Sequence, residues 1–197
     1  MDNIQSAIDS KGAGVFNQAE LFFDDLFLKK LPPLPEQVRD ILVKLAPFWA
    51  ILLIVFAVIS IVFGSLSVLL NLLSTVLSIA TLSGSSVISS VLGIVQSVVG
   101  LALGAVILMY LAKAVKGLFD HKNVGWQSLF RAEMVWVVYS VFSVVIGALA
   151  SVMSLSGMGA IMGIGGAILA LPIQLIFFGL AFYLLFQIKY RYVGVNA

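Results

Sequence analysis

The charged side chains of this 197-residue chain fall in three blocks: up to Lys44, from Lys113 to Glu133, and from Lys189 onward. The stretches between them, 45–112 and 134–187, are 68 and 54 residues long and contain no Asp, Glu, Lys, Arg or His. A soluble domain is about 25% charged; this chain is 10% charged with mean hydropathy +1.15, which places it in a bilayer. One crossing takes about 20 apolar residues, and a single helix of 68 residues would be ~100 Å long. Each stretch therefore reads as a helical hairpin. The fold class is all-α: four transmembrane helices at about 47–70, 87–115, 130–153 and 160–188, preceded by amphipathic helices. Residues 1–45 form a cytoplasmic or interfacial helical segment, and 46–192 the transmembrane domain.

Polar clusters mark the bends. Asn71 and the run Thr81–Ser86 interrupt the first stretch, so 71–85 is expected to form a short interfacial or re-entrant piece. Ser154–Gly159 turns the second stretch. With four crossings all 11 Lys and Arg lie on one side, and the positive-inside rule makes both termini cytoplasmic, in a plasma or bacterial inner membrane. The opening MDNIQSAIDS is acidic and polar, unlike a signal peptide, and neither end carries a lipidation motif.

Before the first crossing, Phe16, Ala19, Phe23, Leu26 and Phe27 recur at helical spacing, with Glu20, Asp24 and Asp25 clustered to one side. Such a helix lies in the headgroup layer, docks on a partner, folds under its own bundle or stays disordered. Leu31-Pro32-Pro33-Leu34-Pro35 is an extended spacer. Pro35 suits the first position of a second helix, with Glu36 in its first turn and a bend expected near Pro47. The segment from Leu31 through Pro35 to Leu45-Ala46-Pro47-Phe48-Trp49, together with Gly125-Trp126-Gln127-Ser128-Leu129-Phe130, resembles uncharacterised small multi-helix membrane proteins of small bacterial genomes. That resemblance implies a four-helix integral membrane protein and carries no activity or site residues.

Composition removes most chemistry. No cysteine is present, which excludes disulfides and thiolate sites, and one histidine, His121, cannot build a histidine metal cluster. A net charge of +2 without a basic run gives no footing for nucleic acid. An enzyme would have to work with Glu133, Asp120 and His121 in one short connection, so neither catalysis nor a cofactor is expected. Arg131 and Glu133 flank the start of the third crossing beside Trp126 and Trp136, as interfacial anchors or as an ion pair.

Uncharged polar and small residues remain. Ser89, Gly93, Gln96, Ser97, Gly100 and Gly104 form one stripe on the second crossing; Gly159, Gly163 and Ala167 form another on the fourth, and Gly147 and Ser151 a third. Small-x-x-x-small spacing lets helix backbones approach closely. The alternative use is a polar path lined by Gln96, the serines and Gln174, which follows the helix-kinking Pro172. No aromatic residue occurs between Phe63 and Tyr110 or between Phe142 and Phe177, so the outer half is made of small and aliphatic side chains suited to packing on itself or another subunit. The expected function is a non-catalytic scaffold or accessory subunit in the bilayer, joined to other membrane subunits or to its own copies. The alternative is a small channel or transporter for a neutral or small solute, lined by the second and fourth crossings.

Overall fold

The computed structural model describes residues 14–80, 84–153 and 157–193; the side chains of 84–86, 157–160, 162–163 and 193 lie outside that description. Residues 1–13, 81–83, 154–156 and 194–197 also lie outside it, and with them the terminal readings above and the centres of both outer turns. All regular elements among the described residues are helical. Helix α1 covers 14–24 and ends in one π-helical turn, Asp25–Lys29. After an extended linker come α2 (Glu36–Ala80), α3 (Gly84–Phe119), α4 (Asn123–Met153), α5 (Gly157–Gln187) and the short α6 (Lys189–Val193). Helices α2 to α5 are each long and apolar enough to cross a membrane.

The long helices stand in chain order, α2 against α3, α3 against α4, and α4 against α5. Neighbours run in opposite directions: Asn71 lies beside Gly93 and Gly64 beside Leu101, while the rings of Phe48 and Phe119 meet at 5.9 Å. Helices α2 and α5 do not pack along each other, which leaves a cleft between them.

One expected break does not occur. Helix α2 continues through Asn71 to Ala80, a length of ~68 Å, where an interfacial piece was expected from 71 onward. The polar side chains that suggested a break are turned back onto the helix. Asn71 Nδ2 donates to the Ser67 carbonyl at 2.9 Å, Ser74 and Thr75 hydroxyls both donate to the Asn71 carbonyl, and Ser78 donates to Ser74. Within an apolar surrounding such internal bonds satisfy the hydroxyls without unwinding the backbone. The helix also passes through Pro47, which is buried. Proline has no amide to offer the carbonyl four residues earlier, here Val43; that carbonyl accepts the Tyr192 hydroxyl instead, at 3.2 Å.

The buried core lies at the charged end of the bundle. Its largest fully enclosed side chains are Trp126, Tyr192, Phe130, Phe186, Leu111 and Leu118. Trp126 stacks on Phe130 at 5.6 Å and meets Phe186 edge-on at 5.2 Å, while its indole N–H donates to the Leu185 carbonyl at 2.8 Å. Helix α1 closes this cluster from beneath: Phe23 stacks on Phe182 at 4.8 Å, and Phe27 lies 5.9 Å from Phe186. Of the readings open for α1, its contacts show packing on its own bundle, through the helically spaced face that includes Phe16, Phe23 and Phe27.

The α3–α4 corner is unusually tight. His121 holds φ 52°, while Lys122 N–H bonds the Gly117 carbonyl at 2.8 Å and His121 N–H bonds Leu118, the pair of bonds that ends a helix on a left-handed residue. This brings Gly117 against Gly125 so closely that a Cβ on either would enter the other's backbone. Backbone atoms cannot step aside as a side-chain tip can. Gly117→Ala and Gly125→Ala are each expected to destabilise the folded protein by at least about 2 kcal/mol, while Gly147→Ala, whose Cβ meets nothing within 4 Å, leaves it as stable or more so, by up to about 1 kcal/mol, because alanine is the better helix former. Thermal unfolding of the detergent-solubilised variants measures this; equal melting of all three would contradict the tight corner.

Candidate functional site

Two cavities formed by the described residues sort the positions singled out by sequence. The first, about 360 Å³, lies among α2, α3 and α4 near the middle of the charge-free segments. Ser60 and Ser67 of α2, Gln96 and Ser97 of α3, and Trp136 and Tyr139 of α4 give it polar groups. Gly100 and Gly104 form part of its wall because they carry no side chain. A Cβ at Gly100 would lie 2.5 Å from the Tyr139 hydroxyl, and one at Gly104 would lie 3.1 Å from Ile61. Gly93 receives the Asn71 carboxamide instead, and Ser90 next to Ser89 exchanges a 3.0 Å hydroxyl contact with Ser74. The α3 stripe is thus divided between close packing on α2 and the cavity wall.

Gln174 does not join this cavity. Its Oε1 accepts the Ser140 hydroxyl at 3.0 Å across the α4–α5 contact. Gln174 and the α3 stripe therefore do not line one cavity, because helices stacked in chain order keep α3 and α5 apart. On α5, Ala167 is half-buried, while the packing of Gly159 and Gly163 lies outside the described residues.

The second cavity is the α2–α5 cleft, about 340 Å³, at the charged end. Its walls are aliphatic and aromatic, with Leu42, Leu45 and Trp49 on α2 and Phe177 and Leu184 on α5; Glu133 of α4 is its one ionisable lining residue. Arg131 and Glu133 do not form an ion pair. Residues two apart on a helix diverge by ~200°, and Arg131 lies over the Phe16 ring at 5.7 Å, on the α1 side. The six other described acids are all paired: Glu20 and Asp24 with Lys189, Asp25 with Lys29 and Lys30, Glu36 and Asp40 with Arg191, and Asp120 with Lys122. Glu133 has neither a salt bridge nor a hydrogen bond among the described residues.

Around these cavities, sequence reasoning missed the polar latch. Gln187 is buried and joins both ends of the linker: its Nε2 donates to the Phe27 carbonyl at 3.3 Å and its Oε1 accepts the Leu34 amide at 3.1 Å. Tyr183 donates to the Pro32 carbonyl at 2.8 Å. Lys189 sits between Glu20 at 2.8 Å and Asp24 at 2.5 Å, over the Trp126 face at 5.1 Å. The only sequence signal for these contacts was a polar Gln187 closing an apolar run. Compared with protein-family models, curated proteins and solved structures, the chain matches none of them. The described residues hold no group of three His, Cys, Asp or Glu that could bind a metal.

Burial pushes the Tyr192 phenol up to about 12 from its ordinary 10.0. An unfolded chain releases that proton near pH 10 while the folded one still holds it, so stability is full below about pH 10 and falls as pH rises toward 12. Tyr192→Phe strips the donor from the Val43 carbonyl and is expected to cost about 1–3 kcal/mol at neutral pH. Unfolding of the two proteins followed from pH 8 to 12 should show the wild type losing stability more steeply until the two approach each other. Parallel curves would contradict this role for the phenol.

Proposed function

We propose that this chain is a non-catalytic subunit of a membrane assembly. It crosses a bacterial inner or plasma membrane as two hairpins with both termini cytoplasmic, and associates with other membrane proteins or with its own copies through small-residue faces of α4 and α5. The observation that carries the reading is a contrast between glycines. Gly64, Gly93, Gly100 and Gly104 are all in close contact with a neighbouring helix, whereas a Cβ at Gly147, Gly165, Gly166 or Gly179 meets nothing within 4 Å. Gly147, Gly165 and Gly166 lie in the outer halves of α4 and α5, which contribute nothing to the buried core; Ile161 is 74% and Leu169 68% exposed. Lipid fills a groove at a glycine poorly, and in a bilayer close backbone approach is a main source of helix association.

The open glycines also make the test clean, because a large side chain there disturbs no internal contact. Gly147→Ile and Gly166→Ile should leave the monomer folded and reduce cross-linking in native membranes at least about tenfold, equivalent to about 1.4 kcal/mol of association. Native gel mobility and mass spectrometry of cross-linked material read the outcome. A wild-type protein that is monomeric in mild detergent and brings down no membrane partner overturns the reading.

The polar cavity favours a second reading, passage of a small neutral solute among α2, α3 and α4. Gln96 is its one carboxamide, and Gly100 keeps its wall open beside Tyr139. Under that reading Gln96→Leu and Gly100→Leu abolish solute flux in reconstituted vesicles measured by light scattering, while leaving helical content unchanged. Vesicles with no flux above empty controls dispose of it.

A further inference from the structure

The α2–α5 cleft combines three features that point to one kind of ligand. It is a concave space of about 340 Å³, within the range of small-molecule sites. Its walls are apolar, and the lining residues Trp49 and Phe177 are 53% and 67% exposed. Glu133 lines it as the one described carboxylate with no cation beside it. A carboxylate held in an apolar setting without a partner is costly. The nearby cations do not relieve it: Arg131 is engaged over Phe16, and Lys189 and Arg191 hold four acids between them.

We propose that this cleft binds an amphiphilic organic cation. The apolar body lies between Leu42, Leu45, Trp49, Phe177 and Leu184, and the cationic centre, an alkylammonium or phosphonium, rests against Glu133. Charge complementarity selects the cation, and the absence of any other polar lining group selects one that carries few hydrogen-bond donors. The aromatic rims add attraction for a cation passing over their faces. A neutral lipid chain would fill the volume and leave the carboxylate unpaired. An anionic amphiphile is repelled. The site is separate from the open glycine faces and from the polar cavity, so it stands whichever of the two functional readings holds.

The full-length chain in nanodiscs of zwitterionic lipid, with radiolabelled tetraphenylphosphonium as probe, provides the test. Wild type should bind saturably with one site per chain, and uncharged tetraphenylsilane should not compete. Glu133→Gln keeps the size of the side chain and removes its charge; it should weaken binding at least about tenfold. Leu184→Trp fills the cleft from the opposite wall and should abolish binding with Glu133 still in place. Circular dichroism and size-exclusion elution confirm that each variant is folded. Equal binding by wild type and Glu133→Gln, or equal competition by the silane, would mean simple partition into apolar space and would overturn the proposal. So would efficient cross-linking of a Leu184→Cys variant to a second copy, insensitive to the probe, because the cleft would then be a subunit contact.

Discussion

The hydrogen bond from the Trp126 indole to the Leu185 carbonyl fastens the start of α4 to the end of α5, and the rest of the bundle is organised around it. In an apolar solvent, helices are not driven together by a hydrophobic effect, so direction and packing must come from specific contacts. Here those contacts crowd one end. Trp126, Phe130 and Phe186 form an aromatic knot, α1 seals it, and Gln187 ties the linker across it. Beyond the knot the helices touch through glycines and small polar side chains, and much of their surface faces outward. The result is a bundle fixed at the charged end and lightly joined elsewhere.

That arrangement explains what was readable in the sequence. Charge-free segments are a one-dimensional property, and they gave helix number and approximate position directly. The helical face of α1 was equally visible in the spacing of Phe16, Phe23 and Phe27. Asn71 misled because a polar residue in an apolar run signals a turn in water. In a bilayer the same side chain is better placed bonding its own helix, and the sequence does not say whether Asn71 lies within the apolar layer or at its edge. At Pro47 the helix continues, and the carbonyl left without its amide is met by a tyrosine 145 positions away, a contact that local sequence does not signal.

The candidate sites were legible only in part. The small-residue stripe of α3 announced close packing, yet whether a glycine meets a helix, a cavity or lipid depends on neighbour order. That order separated Gln96 from Gln174 and gave each different surroundings. Glu133 was visible as a charge at the edge of a crossing. Its isolation depends on every other described carboxylate having a cation, which is a property of the folded chain as a whole.

The bond between Tyr192 and the Val43 carbonyl bears on how such a chain is made. Helix α6 follows α2 to α5 along the chain, so the Val43 carbonyl that Pro47 leaves open receives the Tyr192 hydroxyl only after all four long helices have been made and α6 has folded back onto the bundle. Closing the ladder of α2 at Pro47 is therefore a non-local event, tied to the docking of a segment made much later.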